Sequence, residues 1–600
     1  MKHALLYPRS TSARSVVCLD GMWDFWLEGI KKTQIPVPAS FQDFFTDKEL
    51  RDYTGDFWYE REVFIPSEWA NKVISIRFSG AAHRAAVYLN GSEICSHEGG
   101  FLPFCADITG AAKIGEHNTL TVKLNNELHE YAFPVGRTET LPNGKKIARP
   151  YFDFFNYAGL QRSVHLVAAP KEAVTDFTVF YEAAKVRYKV SKTAGNAHVS
   201  LTVKDEEGVV IATAEGAEGV VEIPNVNLWE VNNAYLYTFI IKLQRGDELI
   251  DEWYDHIGIR TVEIKGTEIL LNGKPIYLKG FGKHEDSDIA GRGYNPTVMK
   301  RDFELLKWIG ANSVRTSHYP YAEEFYQMAD REGILVIDET PAVGMMNSTM
   351  NFLDAARGPR TAFFEKETIP QLLEAHLRVI EDLINRDKNR ACVIAWCLAN
   401  EPETSDEASR SYFEQVFNLA HKLDPQNRPM TYTSIMSSTP DKCKCYDLCD
   451  FICLNRYYGW YVFGGADIGM AEMALRHELE QWKAKGLNKP FVFTEYGADT
   501  DGGMHKLPSV MWSQEYQCEY LEVQHRVFDS YDFVRGENVW AFSDFATGEG
   551  ILRVNGNKKG IFTRDRQPKA AAYALKKRWE SLPPDYKASG YKEECNNAKN

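Results

Sequence analysis

The sequence predicts a multidomain fold in which two β-sandwich domains are followed by a (β/α)8 TIM barrel. Three observations support this prediction. The chain has 600 residues and is 44% hydrophobic, which is more apolar material than one ordinary domain needs. Up to about Lys265, apolar residues recur at every second position, as in half-buried strands. Beyond that point short apolar runs alternate with amphipathic helices, which is the pattern of a parallel sheet covered by helices.

The first sandwich is expected over residues 1–170. Apolar and polar residues alternate in residues 74–78 and again in residues 120–124. The pair Asn90-Gly91 lies between these runs and is typical of a tight hairpin turn. Because helical periodicity is absent from this part of the chain, we expect it to be all β.

The second sandwich is expected over residues 171–265. Val199, Leu201 and Val203 would lie on one face of a strand, and residues 235–243 form another apolar run. A segment of about a hundred residues with short strands is typical of an immunoglobulin-like sandwich.

Residues 266–585 are predicted to form the barrel, and residues 586–600 a polar, solvated tail. Helical periodicity lies between the apolar runs, since Phe325, Met328 and Ala329 share one helical face. The runs that we expect to be strands begin at Tyr277, Asn312, Ile334, Val393, Met430, Phe451, Phe491 and Val539. Eight strands separated by helices predict a (β/α)8 barrel.

The ends of these runs carry polar side chains. The apolar residues 391–399 lead directly into Asn400 and Glu401, and the seventh run ends at Glu495. Parallel barrel strands are covered on both faces, whereas their C-terminal ends open into the mouth of the barrel. Asn400, Glu401 and Glu495 are therefore expected at the mouth. The other strand ends carry Arg315, His318, Asp338, Glu339, Asn455 and Tyr457.

Two carboxylates at one barrel mouth favour hydrolysis of a glycosidic bond by paired acids. One acid would protonate the leaving oxygen, while the other attacks the anomeric carbon or activates water. Each residue alone has a structural alternative. A glutamate at a strand end can be solvated or paired with an arginine, His318 can be a packing group, and Tyr457 and Tyr461 can be rim aromatics.

Several motifs resemble those of a known family. The NEP motif at residues 400–402 and the TEYG motif at residues 494–497 resemble the acid/base and nucleophile motifs of glycoside hydrolase family 2. Further segments resemble the β-glucuronidases of that family: residues 153–164, 280–286, 316–324, 454–461 and 551–566. The resemblance implies a jelly-roll sugar-binding-like domain, an immunoglobulin-like sandwich and a catalytic barrel.

The resemblance also implies roles for individual residues. Glu401 would be the general acid/base and Glu495 the nucleophile of a retaining double displacement. Asn400 would donate to the sugar 2-hydroxyl, and Tyr457 would orient the nucleophile. The remaining residues implied at the substrate are Asp153 and His318, which would hold sugar hydroxyls, Trp540, which would form a wall, and Tyr461.

The substrate prediction depends on residues 555–560, NGNKKG. From sequence alone an exposed turn is the simpler interpretation. The β-glucuronidases, however, carry an Asn, any residue, Lys pattern, which Asn557 and Lys559 match, with Arg553 at the corresponding upstream position. An amide, an ammonium and a guanidinium would supply donors for the carboxylate of a uronic acid.

The resemblance therefore implies a retaining β-glucuronidase that acts on a small-molecule glucuronide. Two alternatives stay open. A β-galacturonidase or β-galactosidase would use the same fold and acids, and a non-catalytic carbohydrate-binding protein could be built from the two sandwiches.

Composition excludes other classes of partner. The chain has 69 basic and 83 acidic residues, a net charge of −14, and the two signs are interspersed, which argues against nucleic acid or a membrane. The first residues lack a long apolar stretch, so a cytoplasmic protein is expected. The resemblance favours a homotetramer.

No metal or other cofactor is expected. Cys443, Cys445 and Cys449 lie close together, but their spacing matches no familiar zinc pattern and no histidine is near. The cysteines are expected to be reduced.

Residues 341–369 form a long connection between the third strand and the next helix. It resembles the extended active-site loop of some gut-bacterial β-glucuronidases, which would admit small aromatic glucuronides. The alternative is a flexible insertion without such a role.

Overall fold

The computed structural model describes residues 6–28, 32–182, 184–231, 233–347 and 362–588. It confirms the predicted fold class, with two β-sandwiches followed by a closed parallel barrel. Residues 348–361 of the long connection and residues 589–600 of the tail lie outside the described residues. The predictions made for them therefore stay predictions.

The first sandwich packs a six-stranded sheet against a four-stranded one. Its elements are β1 (Ser15–Cys18), β2 (Gly21–Leu27), β3 (Thr33–Val37), α1 (Lys48–Arg51), β4 (Asp56–Phe64), β5 (Val73–Phe78), β6 (Arg84–Leu89), β7 (Ser92–Glu98), β8 (Phe104–Asp107), β9 (His117–Asn125), β10 (Gly136–Thr140), β11 (Lys146–Pro150) and β12 (Val164–Ala169). The larger sheet has the order β3-β2-β4-β9-β6-β7 and the smaller β1-β12-β5-β8, while β10 and β11 form a separate hairpin. Asn90 and Gly91 join β6 to β7 with φ values of 51° and 84°, which explains the Asn-Gly pair.

The second sandwich packs a three-stranded sheet, β13-β14-β17, against a four-stranded one, β16-β15-β18-β19. Its strands are β13 (Val174–Glu182), β14 (Lys185–Lys192), β15 (His198–Lys204), β16 (Val210–Glu215), β17 (Glu218–Val221), β18 (Tyr237–Arg245) and β19 (Glu248–Ile257). A small sheet follows, formed by β20 (Val262–Lys265), β21 (Glu268–Leu271) and β22 (Lys274–Ile276). Its apolar residues belong to the hydrophobic core of the barrel.

The barrel closes in chain order, from the first strand round to the eighth. Its strands are β23 (Leu278–Gly282), β24 (Ser313–Arg315), β25 (Leu335–Glu339), β26 (Val393–Asn400), β27 (Met430–Ser434), β28 (Ile452–Asn455), β29 (Phe491–Glu495) and β30 (Val534–Trp540). The helices between and after them are α2 (Pro296–Ile309), α3 (Glu323–Glu332), α4 (Ile369–Asp387), α5 (Ser409–Leu423), α6 (Ile468–Ala484), α7 (Gln514–Phe528) and α8 (Ala570–Ser581). None of these described helices is long and apolar enough to cross a membrane.

Each of the eight predicted runs contains or overlaps a barrel strand, but the eighth was placed too late. It begins at Val534 and ends at Trp540, whereas the apolar run was expected from Val539. Its first residues include Arg535, Glu537 and Asn538, which do not resemble a buried strand. Glu537 is nevertheless buried, because α8 supplies its partners. Its carboxylate accepts hydrogen bonds from Arg578 at 2.7 and 2.8 Å, from Tyr277 at 2.8 Å and from the indole of Trp579.

The first sandwich lies against the mouth of the barrel. Phe152 and Phe154 are buried in the core of the barrel, not in that of their own domain. Arg162 donates to Glu285 at 3.0 Å across the same boundary. This packing brings Asp153 to the mouth.

The long connection is held beside the NEP motif at both of its described flanks. Glu403 donates its N–H to the carbonyl oxygen of Met345 at 2.9 Å, and its carboxylate accepts the N–H of Phe363 at 3.2 Å. The residues on either side of the segment 348–361 therefore contact the loop that follows Glu401.

Candidate active site

Glu495 is the last residue of β29, and its two carboxylate oxygens have different donors. The guanidinium of Arg315 donates to Oε1 at 2.7 Å, and the hydroxyl of Tyr457 donates to Oε2 at 2.6 Å. His318 Nε2 lies 3.8 Å from Oε1. A carboxylate held by a guanidinium and a phenol in this way keeps one orientation, as a nucleophile requires.

Glu401 follows β26 directly and is half-buried. Its φ of 50° is a left-handed conformation that costs a non-glycine residue on the order of 1 kcal/mol. Asn455 donates to its Oε1 at 3.1 Å. Burial, and next to it the negative charge of Glu495, raises the pKa of Glu401 to about 8. Glu401 is therefore protonated at neutral pH and can give a proton to a leaving oxygen.

Asn400 has a fixed amide orientation. Its Oδ1 accepts from Arg315 at 2.7 Å, from Thr433 at 2.6 Å and from Asn455 at 3.3 Å. With the oxygen fully used, the NH2 group is what Asn400 offers to a ligand.

A buried ion pair between Arg315 and Glu339 holds the guanidinium that contacts both Glu495 and Asn400. Arg315 Nε donates to Glu339 Oε2 at 2.6 Å, and His318 Nδ1 lies 2.8 Å from Glu339 Oε1. Burial alone would raise the pKa of Glu339, but the charge of Arg315 and the hydrogen bond to His318 outweigh it, so the pKa falls to about 2. Glu339 stays ionised and holds Arg315. The ring of His318 stacks on Trp540, the last residue of β30, with centroids 5.0 Å apart.

The basic cluster, defined here as Arg553, Asn557 and Lys559, lies in the same pocket. Arg553 Nε donates to both oxygens of Asp153, at 2.9 and 2.8 Å, and Asn557 Nδ2 donates to Asp153 at 3.1 Å. The hydroxyl of Tyr461 accepts from Arg553 at 2.7 Å and from Lys559 at 3.0 Å.

The acids and the basic cluster are linked through aromatic side chains. The rings of Tyr457 and Tyr461 lie 5.2 Å apart, and the Lys559 ammonium lies 5.8 Å from the ring centroid of Tyr457. Since Tyr457 also bonds Glu495, the nucleophile candidate and the cations share one pocket. The exposed-turn interpretation fits residues 554–555 but not Asn557 or Lys559, which are buried.

The structure therefore brings all the sequence-predicted site residues to one mouth. Asp153, expected to hold sugar hydroxyls, contacts Arg553 and Asn557 of the basic cluster. Sequence reasoning assigned no role to Arg315, Glu339 or Asn455, although all three were noted at strand ends. It missed Asp499 altogether, since that residue lies beyond a strand end.

No metal-binding group of three or more His, Cys, Asp or Glu side chains occurs within the described ranges. Cys443, Cys445 and Cys449 are buried and free. The thiols of Cys443 and Cys445 have hydroxyl partners instead, Tyr432 at 2.9 Å and Ser409 at 3.3 Å.

Comparison with known proteins agrees with this arrangement. Residues 262–583 match the model described as glycosyl hydrolases family 2, TIM barrel domain. Residues 15–170 match the sugar binding domain of the same family, and residues 160–260 match the model named for the family itself. The chain belongs to glycoside hydrolase family 2.

As a member of this family, the chain is a glycoside hydrolase, and similar proteins are known from bacteria and animals. A Paenibacillus borealis β-glucuronidase is 43% identical over 96% of this chain and 99% of its own. The human β-glucuronidase is 37% identical over 99% of this chain and 96% of its own. A solved Ruminococcus gnavus β-glucuronidase in complex with uronic isofagomine is 55% identical, with a TM-score of 0.93 over 96% of this chain and all of its own. The structure of the same Ruminococcus gnavus protein in complex with D-glucuronic acid is 54% identical in sequence, with a TM-score of 0.92.

Proposed function

We propose that the chain is a retaining β-glucuronidase, which hydrolyses β-D-glucuronides to glucuronate and the aglycone. The observation that supports this best is the buried basic cluster beside the acid pair. A neutral galactoside would offer no carboxylate to the N–H of Lys559 that Asp499 and Tyr461 do not use, whereas a uronic acid would. The names of the related proteins support the same substrate.

The reaction is a double displacement. The Glu495 carboxylate attacks the anomeric carbon as Glu401 gives its proton to the glycosidic oxygen, so the bond to the aglycone breaks and a glycosyl ester forms. Glu495 loses its charge in the ester, and the pKa of Glu401 falls. Glu401 then takes a proton from water, the resulting hydroxide attacks the anomeric carbon, and Glu495 leaves as a carboxylate.

The neighbouring residues bind and orient the sugar. Asn400 donates its NH2 to the 2-hydroxyl, and Tyr457 keeps Glu495 oriented. His318 and Asp153 hold sugar hydroxyls, and Trp540 forms the wall behind the ring. Tyr461 lies between the sugar and the basic cluster. Arg553, Asn557 and Lys559 hold the carboxylate of the sugar.

The test is an assay of purified protein with matched p-nitrophenyl β-glucuronide, β-galacturonide and β-galactoside. We expect the glucuronide to be hydrolysed with the highest kcat/KM, and Glu495→Ala to abolish turnover. A higher value for the galacturonide or the galactoside would assign the protein to that activity. No turnover of any substrate over a broad pH range would favour a non-catalytic carbohydrate-binding role.

We further propose the domain limits 1–170, 171–265, 266–585 and a tail at 586–600. We also propose that the protein forms a homotetramer in the cytoplasm. The reduced cysteines support the compartment, since the described ones are free. Neither nucleic acid nor a membrane is proposed as a partner, because the net charge is −14. Analytical ultracentrifugation would measure the assembly, and cell fractionation the compartment.

A further inference from the structure

We infer that Asp499 is a positioning residue for sugar selectivity, because it pairs with the ammonium of Lys559 and directs it at the carboxylate of the sugar. This inference rests on the proposed function. Asp499 would not touch the substrate and would act only through Lys559.

Among the described residues, the side chain of Asp499 contacts the segment that carries the basic cluster. Its Oδ2 forms an ion pair with the Lys559 ammonium, and its Oδ1 accepts the backbone N–H of Lys558 at 2.8 Å. Arg553 Nη1 lies 3.7 Å from Oδ2. Asp499 is 0% exposed and Lys559 is 1% exposed, so water cannot replace either partner.

Lys559 needs a counter-ion because aromatic rings form much of its surroundings. Its ammonium lies 5.8 Å from the ring centroids of Tyr457 and Trp460, and 4.9 Å from that of Tyr461. The rings attract a cation but carry no formal charge. A buried ammonium without an anion nearby is disfavoured, and the carboxylate of Asp499 is the anion that pairs with Lys559.

Asp499 also fixes the direction of the remaining donor. An ammonium has three N–H groups. Within the described residues, the ammonium of Lys559 donates to Asp499 and to Tyr461, which leaves one N–H for a ligand. Without Asp499 the flexible lysine side chain would lose one of the two contacts that aim this N–H.

The segment that holds Asp499 also holds the nucleophile. Asp499 follows Glu495 by four residues, and the chain between them is tightly packed. A Cβ added at Gly497 would lie 1.9 Å from the carbonyl oxygen of Trp540, and Thr500 donates its N–H to Lys558 at 2.9 Å. One rigid connection therefore sets both the position of Glu495 and the aim of Lys559.

The test compares Asp499→Asn with the matched control Asp501→Asn. The first change keeps the size of the side chain and removes its charge. Asp501 lies in the same loop but is exposed, and its carboxylate accepts only the N–H of Gly503 among the described contacts. Both variants should unfold near the temperature of the parent protein, as measured by calorimetry.

The readout is inhibition of p-nitrophenyl β-glucuronide hydrolysis by D-glucuronate and by D-glucuronamide, its uncharged analogue. We expect the parent and Asp501→Asn to prefer the acid. Asp499→Asn should bind the acid about 10- to 100-fold more weakly, as expected for loss of a charge-assisted hydrogen bond, and the amide almost unchanged. The same loss should be found in KM for the substrate and not in kcat.

Equal weakening of both inhibitors, or a loss confined to kcat, would show a merely structural role and overturn the inference. Unchanged preference for the acid would overturn it as well. If the parent protein hydrolyses galactosides better than glucuronides and shows no preference for D-glucuronate over D-glucuronamide, the proposed function itself is wrong. That outcome is seen in the parent protein, so it can be told apart from a failure of the inference about Asp499.

Discussion

The acid half and the basic half of the pocket are built in different ways. Glu401 and Glu495 extend from barrel strands, and Arg315, which holds Glu495, is itself the last residue of a strand. The basic half combines loop residues of the barrel with Asp153 from the first sandwich. If the proposed roles are correct, the chemistry is fixed by barrel strands, whereas the choice of sugar depends on loops and on contact with the first sandwich.

The two halves also treat charge differently. In the acid half, burial and the charge of Glu495 raise the pKa of Glu401, so a change in its protonation is part of the proposed reaction. In the basic half, Arg553 and Lys559 are each paired with a carboxylate, so the charges are balanced before the substrate binds. Substitutions in the acid half should therefore change kcat, and those in the basic half should change KM.

The largest effect is expected for Glu495→Gln. The amide is too weak a nucleophile to form the glycosyl ester, so kcat with p-nitrophenyl β-glucuronide should fall by about 10⁴-fold or more. Inhibition by D-glucuronate should be retained, since the basic half is intact. Residual activity of a few per cent would contradict the assignment of Glu495 as the nucleophile and, with it, the proposed difference between the acid half and the basic half.

Next comes Glu401→Gln, which removes the acid. We expect kcat/KM to fall by roughly 10²- to 10⁴-fold, and more for an alkyl glucuronide than for p-nitrophenyl β-glucuronide, because p-nitrophenolate leaves without a proton. Equal losses with both leaving groups would argue against Glu401 as the acid.

The pH dependence of the parent protein tests the same residue. The pKa of Glu401 is raised to about 8, so its protonated form predominates at neutral pH and disappears as the pH rises through that value. The kcat/KM for an alkyl glucuronide should therefore decrease as the pH rises through about 8. This decrease should be missing in Glu401→Gln.

A smaller effect, confined to the charged sugar, is expected for Lys559→Ala. Loss of its hydrogen bond to the carboxylate should lower kcat/KM for the glucuronide by about 10- to 100-fold and change galactoside hydrolysis far less. Comparable losses on both substrates would remove the distinction between the two halves and favour a galactosidase.

The smallest effect is expected for Asp153→Asn. Asp153 is 30% exposed, so solvent screens its pair with Arg553, and the amide can still accept a hydrogen bond. We expect KM for the glucuronide to rise by roughly threefold to tenfold with kcat unchanged. A large fall in kcat would show that the first sandwich also governs the acid half.

Sequence patterns identified most of this pocket because strand ends converge. Glu401 and Glu495 are far apart in the chain, but each follows an apolar run, and a closed barrel brings such ends together. The basic cluster needed the family resemblance in addition, since a loop of polar residues has no periodicity from which burial could be predicted.

What could not be predicted depends on contacts between distant segments. The first residues of β30 looked too polar for a buried strand, because the partners of Glu537 come from a helix some forty residues later. Asp499 likewise resembles an ordinary loop acid until Lys559 is placed beside it. Burial of a charge can be predicted only when its counter-ion is known.

The pairing of Glu537 with Arg578 and Trp579 has a consequence for biosynthesis. Until α8 has been synthesised, the closed barrel would bury Glu537 without the guanidinium of Arg578, its charged partner, at a cost of about 3 to 5 kcal/mol. The nascent chain should therefore leave its barrel open on the ribosome while both sandwiches fold, and ring closure should wait for the last helix.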